Sequence, residues 1–431
     1  MVHWLRAHEP AFEPRFEELL AVKREQAEDV TRAVAEIIAD VKARGDAALI
    51  EFTRRFDRFE ITPDRLRISP DEINEAVAAC EPELIEALRF AARRIEAFHR
   101  RQKPSDERFS DDAGVELGHR WTAVESAGLY VPGGLAAYPS SVLMNAVPAK
   151  VAGVGRLAIT VPTPGGAANP QVLAAARIAG IDEVYRVGGA QAIAALAYGT
   201  ETIAPVAKIV GPGNAYVADA KRQVFGTVGI DMIAGPSEVV VLADGQNDPD
   251  WIAADLLAQA EHDGSAQSIL ITDDEAFGRE VERAVERQLK TLPRRDVAQA
   301  SWQEYGAIIV VGQLKAAVPL IDRLAPEHLQ VAAADAEGLA QAVRNAGAIF
   351  IGAFTPEAIG DYVGGPNHVL PTARSARFSS GLGVLDFMKR TSLLKLDAAA
   401  LGALARPAVT LARAEGLEAH ARSVAIRLNR A

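Results

Sequence analysis

The sequence is poor in cysteine, and its charge balance is acidic. Cys80 is the only cysteine among 431 residues, which excludes an intramolecular disulfide framework, a thiolate zinc cluster and a Cys-x-x-Cys redox pair. The 46 Lys and Arg against 57 Asp and Glu give a net charge of −11, which argues against nucleic acid or an anionic membrane as the main partner. No uninterrupted apolar run reaches the roughly 18 residues of a membrane span, and the N-terminal residues lack the pattern of a signal peptide. These absences favour a cytoplasmic enzyme.

The apolar residues that are present suffice for more than one core. The 431 residues correspond to two to four domains at roughly 150 residues each, and 49% of them are hydrophobic. Helical patterns occupy residues 27–44 and 71–100, and the second is interrupted near Pro82. From Gly128 onward, short β-rich runs, glycine turns and Ala-rich helices alternate, which is typical of a parallel α/β sheet.

Two such α/β series follow one another. Their predicted strands lie at residues 157–161, 184–187 and 208–210 in the first series, and at 239–242, 268–272, 307–311 and 348–351 in the second. A Gly/Pro/Ser-rich stretch at 231–238 joins the two. The residues after Phe387 are Ala-rich and predicted helical, and they are too few to bury their own apolar face. We therefore expect this tail to pack on another part of the assembly, such as a second subunit.

Histidines near amides or acids are the first candidates for chemistry. Gln259 and His262 are three residues apart on a predicted helix, so both project from one face and could share a metal ion or a substrate. The alternative is that His262 only caps the helix end, exposed at a rim before Asp263 and Gly264.

A proline-led turn supplies a second candidate pair. Pro326 ends a predicted helix and places Glu327 and His328 side by side, where they could act as two different bases. A solvent-exposed turn without a role is the alternative. The polar, glycine-rich stretch that begins at Asp361 suggests a ligand-binding loop, in which His368 is either a ligand or a packed structural histidine.

Two further motifs need a specific local structure to be functional. Glu415 and His420 would point about 140° apart on one continuous helix, so a shared target requires the break that Gly416 could provide. Otherwise they are a surface pair. Residues 211–214, Gly-Pro-Gly-Asn, lie between a strand and a helix, where free amides attract phosphate. Because no complete G-x-G-x-x-G is present, any dinucleotide site is non-standard.

Taken in order, these motifs resemble one family, the histidinol dehydrogenases. The segments that carry the resemblance are residues 128–134, 188–191, 211–214, 233–238, 259–262, 326–329, 360–361 with 367–372, and Glu415 with His420. They span roughly residues 120–421, and so many ordered motifs are far more specific than any one alone. Residues 1–120 match mainly in helical character.

The resemblance implies an α/β fold and an intertwined homodimer. It implies two incomplete Rossmann-like parallel-sheet domains plus small helical N- and C-terminal segments. The expected division is 1–25 as an N-terminal helical segment, 26–129 with 239–381 as the domain carrying metal and catalytic residues, 130–238 as the domain contacting NAD, and 382–431 as a helical tail reaching the partner subunit.

The resemblance also implies a reaction and its site residues. L-Histidinol would be oxidised through L-histidinaldehyde to L-histidine, the final step of histidine biosynthesis, with two NAD⁺ reduced in succession. Zinc would be held by Gln259, His262, Asp361 and His420, although manganese would also be tolerated. Ser237, His328 and Glu415 would contact substrate together with the metal ligands; Tyr130, Gln191 and Asn214 would contact NAD; and Glu327 and His328 would be catalytic.

Two other interpretations stay open at this point. A related zinc-dependent, NAD-linked dehydrogenase could act on another amino alcohol or a sulfonated diol, although the presence of Glu415 and His420 favours histidinol. A non-catalytic, metal-stabilised dimer is the second, and the presence of Glu327 and His328 argues against it.

Overall fold

The computed structural model describes residues 2–21, 28–133, 138–233 and 235–429. Its strands are β1 (His3–Arg6), β2 (Glu107–Ser110), β3 (Glu116–Ala123), β4 (Ser126–Tyr130), β5 (Arg156–Val161), β6 (Val184–Arg186), β7 (Lys208–Val210), β8 (Gly229–Ile230), β9 (Glu238–Ala243), β10 (Gln267–Thr272), β11 (Ala307–Val310), β12 (His328–Ala332), β13 (Ala348–Ile351) and β14 (Met388–Lys395). Ala27, Gly134 and Ala234, which belong to segments used above, lie outside the described residues.

The helices follow the predicted pattern in most places. They are α1 (Phe12–Ala21), α2 (Glu28–Arg44), α3 (Asp46–Phe56), α4 (Pro63–Leu66), α5 (Pro70–Ala78), α6 (Pro82–Arg100), α7 (Pro139–Ala152), α8 (Pro170–Ile178), α9 (Gly189–Tyr198), α10 (Ala215–Val224), α11 (Pro249–Ala260), α12 (Glu275–Leu289), α13 (Arg295–Tyr305), α14 (Val318–Leu324), α15 (Ala336–Ala342), α16 (Ala358–Tyr362), α17 (Ala398–Ala414) and α18 (Glu418–Ala425). Pro82 does interrupt the helical run, because it opens α6 at the first-turn position that proline favours. None of these helices combines the length and the apolar composition needed to cross a bilayer.

One sheet has the strand order of a dinucleotide-binding fold. Its five parallel strands lie in the order β6-β5-β4-β7-β8. Counted along the chain this order is 3-2-1-4-5, the Rossmann order without its last strand. The direction of winding reverses between β4 and β7, so the turns that follow these two strands meet at the carboxyl edge of the sheet, where such folds bind nucleotides.

A second sheet repeats the same order. Its six parallel strands lie in the order β1-β11-β10-β9-β12-β13, and β9 to β13 alone again give 3-2-1-4-5. The predicted pair of incomplete Rossmann-like sheets is therefore confirmed. β1, which the sequence did not reveal, extends this sheet beside β11.

The helical region before Gly128 packs on the five-stranded sheet. Side chains of α2 and α3 share a core with α9 and α10 on one face, and those of α5 and α6 share a core with α7 and α8 on the other. β1 and α1 instead pack with the six-stranded sheet. This packing differs from the expected grouping of residues 26–129 with 239–381, and the domain boundaries stay a prediction.

The expectation of an entirely helical tail after Phe387 was wrong. β14 comes first and pairs antiparallel with β3, from Met388 opposite Ala123 to Lys395 opposite Glu116, in a three-stranded sheet that β2 completes. The partner strand β3 lies more than two hundred residues earlier in the chain, so no local sequence pattern predicts the pairing. α17 and α18 then follow, and the predicted break at Gly416 is present, with a φ of +75°.

Candidate active site

The candidate centre lies at the amino edge of the six-stranded sheet. Glu238 and His328 are the first residues of β9 and β12, which are neighbouring strands. Ala325 ends α14 in a left-handed conformation with a φ of +44°, and the chain enters β12 after Pro326 and Glu327. Glu327 and His328 are both buried, so the alternative of a solvent-exposed turn is wrong.

His328 is held as a neutral base. Its Nδ1 lies 3.1 Å from the carbonyl oxygen of Glu238. Because a carbonyl can only accept, Nδ1 carries the proton and Nε2 is left unprotonated. Burial lowers the pKa of His328, which also favours the neutral ring. Nε2 faces Asp361, whose Oδ1 is 3.9 Å away.

Two glutamates lie beside the same imidazole. Glu327 Oε2 accepts the backbone N–H of Glu238 at 3.0 Å and is 3.7 Å from Nδ1 of His328. Glu357 Oε2 is 3.6 Å from Nδ1, and burial, reinforced by Asp361 and Glu327, holds the pKa of Glu357 well above its usual range. Glu357 was not among the predicted site residues, although it lies one helical turn before Asp361.

The structure brings two of the four predicted metal ligands, His262 and Asp361, close together, and Gln259 lies one helical turn before His262. Gln259, on the last turn of α11, is buried, and its Nε2 has no hydrogen-bond partner in the described part of the chain. His262 follows just beyond the helix end with its side chain 38% exposed, as expected for a rim. Its Nε2 lies 3.9 Å from Oδ2 of Asp361, too far for a hydrogen bond.

These donors fit a zinc ion. Amide, imidazole and carboxylate are ligands zinc accepts, and two ligands each about 2.0–2.2 Å from a tetrahedral metal lie about 3.3–3.6 Å apart. The 3.9 Å separation of His262 and Asp361 is slightly longer than that range, so a small approach of the two side chains would bring both to one ion. Across residues 2–21, 28–133, 138–233 and 235–429, no group of three or more His, Cys, Asp or Glu side chains could hold a metal ion within this one chain.

The fourth predicted ligand lies on the tail. His420 is exposed on α18, which packs against α17 and the turn at Ile426–Leu428. Glu415, the predicted substrate contact, is the exposed C-cap of α17. No hydrogen bond or ion pair within the described residues joins either side chain to His262 or Asp361.

Two other predicted residues have structural contacts. His368 is largely buried; its Nδ1 lies 3.0 Å from the carbonyl oxygen of Asp361 and its Nε2 lies 3.3 Å from Oγ of Ser141 on α7. These contacts favour the packed structural histidine, which here links the two sheet units beside Asp361. Ser237 directly precedes β9, and its carbonyl oxygen accepts the N–H of Gln267.

The three predicted NAD contacts meet at the carboxyl edge of the five-stranded sheet. Tyr130 ends β4, and its hydroxyl accepts the N–H of Gly189 at 3.1 Å. Burial raises the pKa of Tyr130 to about 12, so the phenol is neutral. Gln191 is buried in the first turn of α9, and Asn214 caps α10 by accepting backbone N–H groups through Oδ1. The positive dipole ends at such helix starts attract phosphate.

The five-stranded sheet has the Rossmann strand order, and the predicted NAD contacts lie at its carboxyl edge. The second sheet carries a buried imidazole between carboxylates. Together these features define a nucleotide-dependent dehydrogenase. The family model for histidinol dehydrogenase matches residues 20–428. The chain is 66% identical to histidinol dehydrogenase of Rhodospirillum rubrum over 427 residues, which cover 99% of this chain and 98% of that one. The enzyme of the same name from Brucella suis is 64% identical over 429 residues, with 100% of both chains covered.

A solved structure agrees with the sequence relatives. The crystal structure of histidinol dehydrogenase from Elizabethkingia anophelis superposes with a TM-score of 0.95 at 37% identity, covering 99% of this chain and 98% of that one. The chain belongs to the histidinol dehydrogenase family.

Proposed function

We propose that the protein oxidises L-histidinol through L-histidinaldehyde to L-histidine, reducing two NAD⁺ in succession, as the final step of histidine biosynthesis. The observation that carries the proposal is the neutral, buried His328, whose unprotonated Nε2 faces Asp361 and whose neighbour is Glu327. Membership of the family supports the choice of substrate.

A zinc ion would be held by Gln259, His262 and Asp361 of one chain and by His420 of a second copy. When bound, it supplies a positive charge that orients the imidazole and amino groups of the substrate. Ser237, Glu415 and His328 would contact the substrate together with these ligands. The distance between His262 and Asp361 and the unpartnered amide of Gln259 support this placement.

His328 is the base of the first oxidation. Its Nε2 accepts the proton of the substrate hydroxyl while the hydride on the same carbon passes to NAD⁺. The lowered pKa of His328 keeps Nε2 free to accept that proton. The proton stays on Nδ1, which donates to the carbonyl oxygen of Glu238, so the ring keeps its orientation during the transfer.

Glu327 is the base of the second oxidation. Its carboxylate takes a proton from water as the water attacks the aldehyde carbon, and the proton that Nε2 of His328 accepted in the first oxidation passes to the aldehyde oxygen, which gives the hydrate and leaves His328 neutral again. His328 then accepts a hydroxyl proton of the hydrate as the second hydride leaves for NAD⁺, and the acid is formed. Cys80 does not replace this water by a thiol, because it lies between α5 and α6, donates to the carbonyl oxygen of Ala76 and packs against the core of the other sheet unit.

The proposed assembly is a homodimer in which each tail completes the partner's site. Large apolar side chains of the tail are exposed in the single chain, among them Leu394, Leu411 and Ile426, which are 66%, 63% and 63% exposed. Such surface is typical of an interface. Tyr130, Gln191 and Asn214 are the proposed NAD contacts. The cytoplasmic location stays a prediction.

The test is an assay of NADH formation by purified, zinc-loaded protein with L-histidinol and NAD⁺. We expect two NADH for each L-histidinol consumed and L-histidine as product. A matched reaction with a sulfonated diol or another amino alcohol tests the related dehydrogenase. Turnover of those compounds without turnover of L-histidinol would overturn the proposed substrate.

A further inference from the structure

A buried ion pair holds the turn that follows β7. Lys221, on α10, is paired with Asp231, which follows β8, and their side chains are only 2% and 0% exposed. Both residues also bond to the backbone of Gly211. Asp231 Oδ2 accepts the N–H of Gly211 at 2.8 Å, and Lys221 Nζ donates to its carbonyl oxygen at 2.9 Å. One residue of the turn is therefore held on both sides by opposite charges.

The backbone conformation and the close surroundings of Gly211 require a glycine. Its φ is +114°, and a Cβ there would lie 2.2 Å from the carbonyl oxygen of Tyr130. The turn thus passes directly against the end of β4, at the reversal of winding between β4 and β7. Three residues later Asn214 begins α10. Any movement of Gly211 therefore moves the cap of α10 relative to Tyr130.

We propose that Lys221 and Asp231 are positioning residues for NAD⁺, which fix the 211–214 turn so that Asn214 and the positive end of the α10 helix dipole face the cofactor diphosphate. A buried ion pair is often no more stabilising than apolar side chains of the same volume. Charge-assisted hydrogen bonds do, however, fix geometry more tightly than neutral ones. The proposal rests on the cofactor contacts proposed above for Tyr130 and Asn214.

The deciding variant is the double substitution Lys221→Met with Asp231→Asn. It leaves no uncompensated buried charge, and the introduced amide can still accept the N–H of Gly211. We therefore expect a thermal midpoint near that of the wild type. Because the carbonyl oxygen of Gly211 loses its charged donor, we expect the Kd of NAD⁺, measured by calorimetry on the zinc-loaded enzyme, to rise roughly tenfold. The Kd of L-histidinol and kcat at saturating NAD⁺ should stay unchanged.

A matched control lies on the same helix. Asp219 is also buried on α10, but it bonds to Thr31, Arg222 and Gln223, on the side away from the turn. Asp219→Asn should lower the thermal midpoint and leave the Kd of NAD⁺ as in the wild type. Asp231→Asn alone, which leaves Lys221 uncompensated, should lower both stability and NAD⁺ affinity, so the test does not depend on one variant.

Asn214→Ala separates this inference from the proposed cofactor site. If Asn214→Ala weakens NAD⁺ binding and the double variant binds NAD⁺ like the wild type, the positioning role is wrong and the cofactor site stands. If Asn214→Ala leaves the Kd of NAD⁺ unchanged, the cofactor contacts are wrong, and the positioning role falls with them. Weaker binding in both variants, with normal binding in Asp219→Asn, supports the inference.

Discussion

His328 and Glu238 are joined across two neighbouring parallel strands, with Nδ1 of His328 3.1 Å from the carbonyl oxygen of Glu238. The N–H of the same Glu238 donates to Oε2 of Glu327 at 3.0 Å. The backbone of one residue thus orients both proposed bases. Because strand register fixes that backbone, the imidazole and the carboxylate keep a constant relation to each other through two successive oxidations.

The two sheets place their sites at opposite edges. The proposed NAD contacts lie at the carboxyl edge of the five-stranded sheet, as the winding of such sheets favours. His328 and Glu238 lie instead at the amino edge of the six-stranded sheet. The link from His368 to Ser141 connects Asp361 to α7, the helix that follows β4, and so joins the two units at this point.

Glu327→Gln should separate the two oxidations. Only the aldehyde step needs an activated water, so the first hydride transfer should be slowed far less than the second. His328→Asn should slow both, since the same imidazole accepts a proton in each. Single turnovers followed by rapid mixing with L-histidinol, and separately with L-histidinaldehyde, measure the two rates. Equal losses of both rates in Glu327→Gln would contradict the role given to Glu327.

Local patterns predicted much of the fold for a physical reason. Where a strand, a glycine turn and a helix follow directly, as from Lys208 to Val224, the signal is contained within one short segment, and the observed bounds of β7 and α10 match. β12 was missed because it begins with the polar residues His328 and Gln330, which are buried in the sheet. α13 was also missed.

The candidate site was predictable only as separate pieces. Spacing alone suggested that Gln259 and His262 belong together, but His262 and Asp361 lie far apart in the chain, and only the tertiary fold brings them close. Glu357 lies one helical turn before Asp361 but belongs to no motif, so its burial and its distance to His328 identify it only in the structure. Sequence spacing does not carry such long-range information.

His262→Asn should copurify with far less zinc than the wild type. The substitution removes one imidazole from the proposed ligand set while the helix and its core remain, so the thermal midpoint of the metal-free protein should be unchanged. His119→Asn, a matched change on β3, should keep full zinc. Elemental analysis of both variants decides the point, and full occupancy in His262→Asn would remove His262 from the ligand set.

Asp255→Asn should stabilise the protein at neutral pH but not in acid. Burial raises the pKa of Asp255 from 3.8 to about 6, although Gln330 Nε2 donates to it. The folded state therefore binds the proton of the Asp255 carboxyl more tightly than the unfolded state does. The stabilisation from the protonated carboxyl is present below about pH 4 and is lost as the pH rises through about 6. Above that pH the variant should exceed the wild type by about 1–3 kcal/mol in free energy of unfolding.

Asp250→Asn is the control on the same helix, and its effect on the free energy of unfolding should depend on pH in the opposite direction. Hydrogen bonds from Gln288 and Arg287 lower the pKa of Asp250, so its contribution is present at neutral pH and lost as the pH falls. Asp250→Asn should therefore be less stable than the wild type at neutral pH and equal to it in acid. Urea unfolding at several pH values measures both differences, and a pH-independent difference for Asp255→Asn would refute the explanation.

The last prediction concerns whether the C-terminal tail of one chain completes the active site of its partner. Glu327→Gln and His420→Ala homodimers should each be nearly inactive, since one lacks the water-activating carboxylate and the other a metal ligand. If each tail completes the partner's site, a hybrid of the two has one site with both lesions and one with neither. Unfolding and refolding an equal mixture makes about half the dimers hybrid, so roughly a quarter of the wild-type activity should return.

A mixture of His420→Ala with Glu415→Ala is the matched control, because both lesions lie on the tail and every hybrid site keeps one of them. No activity should return in that mixture. Two affinity tags isolate the hybrids in each case and confirm that they form. If purified Glu327→Gln/His420→Ala hybrids were as inactive as their parents, the tail would fold onto its own chain, and each site would lie within a single subunit. The exposed apolar side chains of α17 and of the turn before α18 favour exchange, since a single chain leaves Leu411 and Leu417 in water.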